Sequence, residues 1–179
     1  VDLIAKLKNE KKLEVILVSS GAVGAGYTTL KLDKKIIANK QALAAIGQPL
    51  LLKHYKKRFK EHNISCAQML FIADDFDSRK RTKNAQDVME ILLENKILPI
   101  INENDVIANY ELLFGDNDQL AAHVAFHFKA DMLAILSDID GYYNKNPREF
   151  DDAVLQKNVF EISSDELEMK HSANSEFAT

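Results

Sequence analysis

The chain has 179 residues, 46% of them apolar and 28% charged, with a formal net charge of −4. That length favours one domain with a real core, and the composition excludes a disordered chain. The lack of a basic excess argues against nucleic-acid binding through this region, the single cysteine, Cys66, excludes an internal disulfide framework and fits a reducing cytoplasm, and no apolar run approaches the roughly eighteen residues of a membrane span.

In chain order, VDLIAKLKNEKK reads as a helix, beginning at Val1 without Met. Leu13–Ser19 (LEVILVS) is rich in β-branched residues and reads as a buried strand. The glycine-rich SSGAVGAG follows it. Residues 35–62 form a helical pattern interrupted by Gly47 and Pro49, and Pro49 is expected to start or kink a helix. Ile64–Phe71 (ISCAQMLF) is a second strand. Residues 81–95 form a helix with Val88, Ile91 and Leu92 as its apolar stripe, and the charge run Ser78–Lys83 is expected on its solvated start. Ile97–Ile101 (ILPII) is a third strand. VIANYELLF, shorter and more polar, reads as a β-hairpin near 105–115. Residues 118–128 form a helix, and Met132–Ser137 (MLAILS) a fourth strand. The chain stops at SEFAT without a closing element, so both ends read as cut.

Regular alternation of strand and helix implies right-handed crossovers and an α/β fold, an open, mainly parallel sheet sandwiched between helices. The near-continuously apolar strands agree with this. In such sheets ligands bind outside the carboxyl ends of the strands. Three polar clusters fall there: SSGAVGAG after LEVILV, NEND after ILPII, and SDIDGYYNKNPRE after MLAIL. Gly21, Gly24 and Gly26 would allow backbone amides to approach a ligand, with the following helix directing its N-terminus at an anion. The spacing fits neither a Walker A loop nor the dinucleotide fingerprint, and a plain tight turn is the alternative. Asp116, Asn117 and Asp118 precede an apolar helix. One of them serves as a cap, which leaves two to bind a polar ligand or orient a cation.

Two further signals carry little weight. His123 and His127 are four apart, but Val124 stands where an HExxH zinc site needs Glu, and no metal-ligand set is assigned. Cys66 lies within an apolar strand pattern and reads as a small core residue.

The order SSGAVGAG, KQALAAIGQ, QMLF, LPIINENDVI, FGDNDQLAA and LSDIDGYYNKNPRE is similar to the glutamate 5-kinases of the amino acid kinase family, from about Leu13 to Arg148. INEND together with GDND is the specific part. The resemblance implies ATP as phosphoryl donor with Mg²⁺, and the γ-carboxylate of L-glutamate as acceptor in the first step of proline biosynthesis. It assigns Ser20 and Gly21 of the glycine loop, Asn102, Asp105, Asp116 and Asn117 to the substrate, with Asp105 receiving the α-amino group. Asp118 becomes the catalytic acid that orients two lysines. Ser137 and Asp138 touch the nucleotide, with Ser137 in place of a threonine, and Asn146 stands where Asp-Pro-Arg is common. The resemblance also implies that residues 1–179 are an amino acid kinase domain lacking its first strand and its C-terminal nucleotide-binding part. A homodimer or homotetramer and feedback by proline are further implications. Kinases for acetylglutamate, aspartate, carbamate or nucleoside monophosphates are the alternatives within the family, and Asp105 favours free glutamate over its N-acetyl form. A non-catalytic amino-acid sensor is the alternative outside enzymes.

Overall fold

The computed structural model describes residues 1–108 and 117–160. The chain divides into two compact units, Val1–Leu133 and Ala134–Thr179. The first contains α1 (Asp2–Asn9), β1 (Leu17–Val18), α2 (Ala22–Thr29), α3 (Ile37–Lys60), β2 (Cys66–Phe71), α4 (Ala73–Asp77), α5 (Arg79–Glu94), β3 (Leu98–Glu103) and α6 (Asn117–His127). The sheet order is β1-β3-β2 and both pairings are parallel. The expected α/β architecture is therefore present.

The central strand β3 is buried along its whole length. Its pleat divides the core into two. Ile101 joins Phe71, Phe76, Met89, Leu120 and Val124 on one face, while Leu98 and Ile100 join Ala5, Phe59 and Ile64 on the other. Helices on both faces are what a parallel sheet requires. Entry into the strands is sharp because α3 and α5 end in left-handed residues. Asn63 and Lys96 both have φ of 59°, and the Ile64 and Ile97 amides donate back to the Phe59 and Leu92 carbonyls, which closes each helix in a Schellman turn.

Three elements differ from the expectation. β1 is limited to Leu17 and Val18, paired with Ile100 and Ile101, although the sequence has strand character from Leu13. Leu98 donates to Ser65 on the β2 side. By strand alternation the amide of residue 99 then faces β1. Pro99 has no N–H to give, so the β1 ladder starts only after it. Next, Val88 and Ile91 lie outward on α5 at 47% and 59% exposure. The inward face is carried by Met89, with Ala85 and Leu93 packed against the same core, one helical step round from the expected stripe. Finally, residues 132–137 form no strand, and Met132 and Leu136 are 83% and 88% exposed. Their apolar composition suits a strand, but a parallel strand is stable only with a ladder partner and none of these residues has one. Pro49 lies inside α3, which continues through it. Most of the expected hairpin near 105–115 falls outside the described residues; 105–107 form a turn.

The second unit, described as far as Phe160, is mostly irregular. An antiparallel bridge joins Tyr143 to Leu155, Gln156 donates to the Tyr142 carbonyl at 2.7 Å, and Lys145 pairs with Asp152 at 2.5 Å.

The tightest contact in the first unit is between α2 and α3. A Cβ at Gly47 would lie 1.7 Å from the Ala22 carbonyl oxygen, and one at Gly26 would lie 1.9 Å from that of Leu43. Backbone meets backbone here, and no flexible side chain can yield. Gly47→Ala is expected to destabilise the protein by about 1–3 kcal/mol through overpacking, although alanine is the better helix former. Gly24→Ala, where a Cβ meets nothing within 4 Å, should hold or raise stability. Urea unfolding of the two variants measures the contrast, and equal stability would show that the crossing is loose.

Candidate active site

All three strands are parallel, so their carboxyl ends lie along one edge of the sheet. β1 leaves it through Ser19, whose amide donates to the Ile101 carbonyl at 2.8 Å and whose hydroxyl shares a 2.9 Å hydrogen bond with the Tyr55 hydroxyl of α3. Ser20 is exposed beyond it. Gly21, at φ 97°, forms the N-cap of α2, a conformation that disfavours any side chain. The three loop glycines thus have different tasks. Gly21 turns the chain, Gly24 leaves open space, and Gly26 admits α3.

The end of β3 is joined to the end of β1 by a residue from a third element. Asn117, first residue of α6, donates its Nδ2 to the Ser19 carbonyl at 2.5 Å and to Asn102 Oδ1 at 3.0 Å. Asn102 Oδ1 also accepts from the Glu103 amide at 2.9 Å. Asn102 is only 4% exposed, so its carboxamide holds Asn117 in place at the sheet edge. A buried amide left without partners would cost more than the bond itself is worth.

Two residues beyond Glu103 lies Asp105, half-buried in the turn that leaves the sheet. Burial raises its carboxyl above the ordinary aspartate range, and this is opposed by hydrogen bonds from its own backbone and from the Gln48 side chain and by the charge of Lys40. Gln48 is itself buried, donates Nε2 to the Glu103 carbonyl at 3.1 Å and accepts from Gln68 Nε2 at 3.0 Å. Asp118 is exposed in the first turn of α6. The edge therefore offers a partly buried carboxylate at Asp105, an exposed one at Asp118, and the first-turn amides of α2. Such a surface suits a small ligand carrying both an ammonium and anionic groups.

Of the residues singled out in the sequence, Ser20, Gly21, Asn102, Asp105, Asn117 and Asp118 share this first unit. Asp116 lies outside the described residues. Ser137 and Asp138 belong to the second unit, where Asp138 accepts from Arg148. Gln48, Gln68 and Tyr55 were not singled out. The signal for Gln48 was a glutamine in the apolar helix run AAIGQPLL, and for Gln68 one in the middle of the apolar strand CAQMLF; Tyr55 carried none. His123 and His127 stack on Phe76, with ring centroids at 5.3 and 5.0 Å, and no group of three or more His, Cys, Asp or Glu among the described residues is placed to hold a metal ion. Burial pushes the Cys66 thiol up, away from nucleophilic character. The Ser78–Lys83 run starts α5 as expected, with the Ser78 hydroxyl accepting from the Arg81 amide at 3.4 Å. No helix among the described residues is long and apolar enough to cross a membrane.

A sequence profile of the Amino acid kinase family matches residues 1–179. The chain belongs to that family. Among curated proteins it is similar to a protein of Wolinella succinogenes named glutamate 5-kinase, 57% identical over 180 residues that cover 98% of this chain and 69% of the relative. A Leishmania donovani protein of the same name is 55% identical over 95% of this chain and 65% of its own length. A third, from Helicobacter hepaticus, is 51% identical over 100% of this chain and 69% of the relative. The chain thus spans about two thirds of the length of these relatives.

The Asn117 clasp has a measurable consequence for stability. Asn117→Ala removes the donor from the Ser19 carbonyl and from the buried Asn102 carboxamide. Unfolding free energy should fall by about 1–3 kcal/mol, the cost of losing two hydrogen bonds and leaving the partly buried Ser19 carbonyl without its Asn117 donor. Denaturant titration checks this, and an unchanged midpoint would reduce the clasp to a surface contact.

Proposed function

We propose that the protein carrying this chain is an ATP-dependent glutamate 5-kinase, transferring the terminal phosphoryl group to the γ-carboxylate of L-glutamate in the first step of proline biosynthesis. The observation that carries this reading is Asp105, a half-buried carboxylate at the carboxyl end of the central strand, in a chain whose relatives bear that name. An acid in that position receives the α-ammonium of free glutamate and disfavours its uncharged N-acetyl form.

The proposed division of labour assigns each residue of this edge a task. Ser20 and Gly21 lie where the chain leaves β1, within reach of a substrate carboxylate at the sheet edge. Asn117, fixed by Ser19 and Asn102, holds its own place against the substrate. Asp116 is assigned to the same contact. Asp118, exposed in the first turn of α6, is assigned to orienting the lysine ammonium groups of the complete active site. The acceptor carboxylate is already ionised at pH 7, so no general base is needed. The chain's task is positioning and charge compensation.

The residues present fit a nucleotide's terminal phosphate. The first-turn amides of α2 have no intrahelical acceptor, and a Cβ placed at Gly24 would meet open space beyond its own helix. Ser137 and Asp138 are assigned to the nucleotide. Mg²⁺ accompanies nucleotide phosphates with one or two carboxylates at most, and when bound it neutralises charge on the transferring group. Location in the cytoplasm, a homodimeric or homotetrameric state and feedback inhibition by proline complete the proposal.

The direct test is coupled ADP release by the full-length protein. Turnover should require L-glutamate, and equal rates with N-acetylglutamate or aspartate would overturn the substrate assignment. Asp118→Asn should lower kcat on the order of a hundredfold with little change in the glutamate KM, because its partners act on the transferring group. An unchanged kcat would make Asp118 a helix-terminal charge only. Asp105→Ala should raise the glutamate KM roughly ten- to hundredfold, the worth of a charge-assisted hydrogen bond at about 1.5–3 kcal/mol, and leave the ATP KM near its original value. The raised carboxyl of Asp105 also sets a sign. Only the ionised form binds an ammonium, so glutamate affinity should weaken as pH falls, beginning at a higher pH than an ordinary aspartate would give. Glutamate KM measured against pH checks this.

A further inference from the structure

We propose that Tyr55 is a positioning residue for the glycine turn: its hydroxyl, acting through that of Ser19, sets which way the Ser20–Gly21 peptide faces. The inference rests on the reading of Ser20 and Gly21 as contacts of a substrate carboxylate. Ser19 is buried, at 6% exposure, and each of its polar groups is engaged. Its amide donates to the Ile101 carbonyl at 2.8 Å, and its carbonyl accepts from Asn117 Nδ2 at 2.5 Å. Its hydroxyl lies 2.9 Å from the Tyr55 hydroxyl and donates to the Ser20 carbonyl at 3.3 Å. A serine hydroxyl has one proton. That proton goes to the Ser20 carbonyl, so Tyr55 is the donor in the other bond.

The peptide unit after Ser19 is the first that packing does not orient. Ser20 and Gly21 are both exposed, and Gly21, at φ 97° with no side chain, sets little steric barrier to turning that unit over. A planar trans peptide points its carbonyl and its N–H in opposite directions. With the Ser20 carbonyl drawn toward the Ser19 hydroxyl, the Gly21 N–H points away from it, and among the described residues no backbone acceptor meets that amide. Turned over, the unit would present a carbonyl oxygen to an incoming carboxylate, and the two would repel. The donor at the head of this chain is itself held. The Tyr55 ring packs against the core on that face of the sheet and stacks on the fully buried Phe59, with ring centroids 6.1 Å apart. The bond that Ser19 receives also strengthens the one it gives. The hydroxyl pair thus fixes the amide before a ligand arrives, and preorganisation of this kind raises affinity without adding a contact to the ligand.

The experiment uses the full-length protein and measures kcat and the KM for glutamate and ATP, with melting temperature as a control for folding. Tyr55→Phe keeps the ring and its stacking and removes only the hydroxyl. It should raise the glutamate KM about three- to tenfold, the range of one hydrogen bond, and leave kcat and the ATP KM within about twofold. Ser19→Ala, which removes both bonds of the hydroxyl, should raise the same constant further. In the Ser19→Ala background Tyr55→Phe should add little, because the two act through one hydroxyl. If Ser20→Ala leaves the glutamate KM unchanged, the reading of this turn as a substrate contact fails. If Ser20→Ala raises it while Tyr55→Phe does not, the positioning role alone is overturned. Additive effects of Ser19→Ala and Tyr55→Phe, or a fall in melting temperature with unchanged KM values, would likewise reduce Tyr55 to a packing residue.

Discussion

The side-chain amide of Asn117 carries the organisation of the sheet edge. A parallel sheet collects its strand ends on one side, and each end brings backbone carbonyls and polar side chains out of an apolar layer. These groups need partners wherever water cannot reach them. One amide nitrogen satisfies the last carbonyl of the β1 exit at Ser19 and the carboxamide of Asn102 on β3. The same contact fixes where α6 begins. Asp118, the next residue, is thereby placed beside the glycine turn by a bond it does not make. Substrate-facing and structural roles cannot be separated at such an edge, because the groups that hold the strands together are the ones that define the surface.

Packing on the other side of the glycine turn makes an equally strict demand. Gly26 and Gly47 let α2 and α3 approach until backbone atoms touch. That approach brings α3 down over the sheet, so that Tyr55 reaches Ser19 and Gln48 reaches the Glu103 carbonyl. A side chain at either glycine would lift the helix away from both. The polar network at the strand ends is therefore a consequence of a close helix crossing several residues away. This is the connection from small residues, through packing, to the placement of a carboxylate.

The alternation of strand and helix was legible because it rests on burial, and burial writes itself into long apolar runs. The candidate site stands out in the sequence because polar residues at strand ends contradict that pattern. What was not legible has specific causes. Pro99 was visible as a residue of the third strand, but its effect falls on β1, through a missing amide whose direction depends on register. The inward face of α5 turned from Val88 and Ile91 to Met89, since a stripe in an isolated helix leaves its rotation open by one step. Met132–Ser137 has the composition of a strand, and composition carries no information on whether a partner edge is present. Gln48 and Gln68 stood out only as isolated polar residues within apolar runs, where a core glutamine satisfied by the backbone is the ordinary reading. Their mutual contact is a tertiary fact.

The two carboxylates at the edge illustrate how one sheet supports two kinds of work. Asp105 is partly buried, and burial raises its carboxyl above the ordinary aspartate range; Asp118 is exposed at a helix start. In a desolvated setting each unit of opposite charge counts for more than it does in water. Asp105 is therefore suited to a ligand cation that must be recognised once and held, because the ligand restores the compensation that burial removed. At the exposed position the field is weaker, so a charge there is compensated by water as well as by any partner. Burial thus distinguishes the two acids before any partner is considered. It differs because Asp105 lies in the turn leaving the buried central strand, whereas Asp118 begins a helix at the surface. The order of elements along the chain sets the chemistry of each acid.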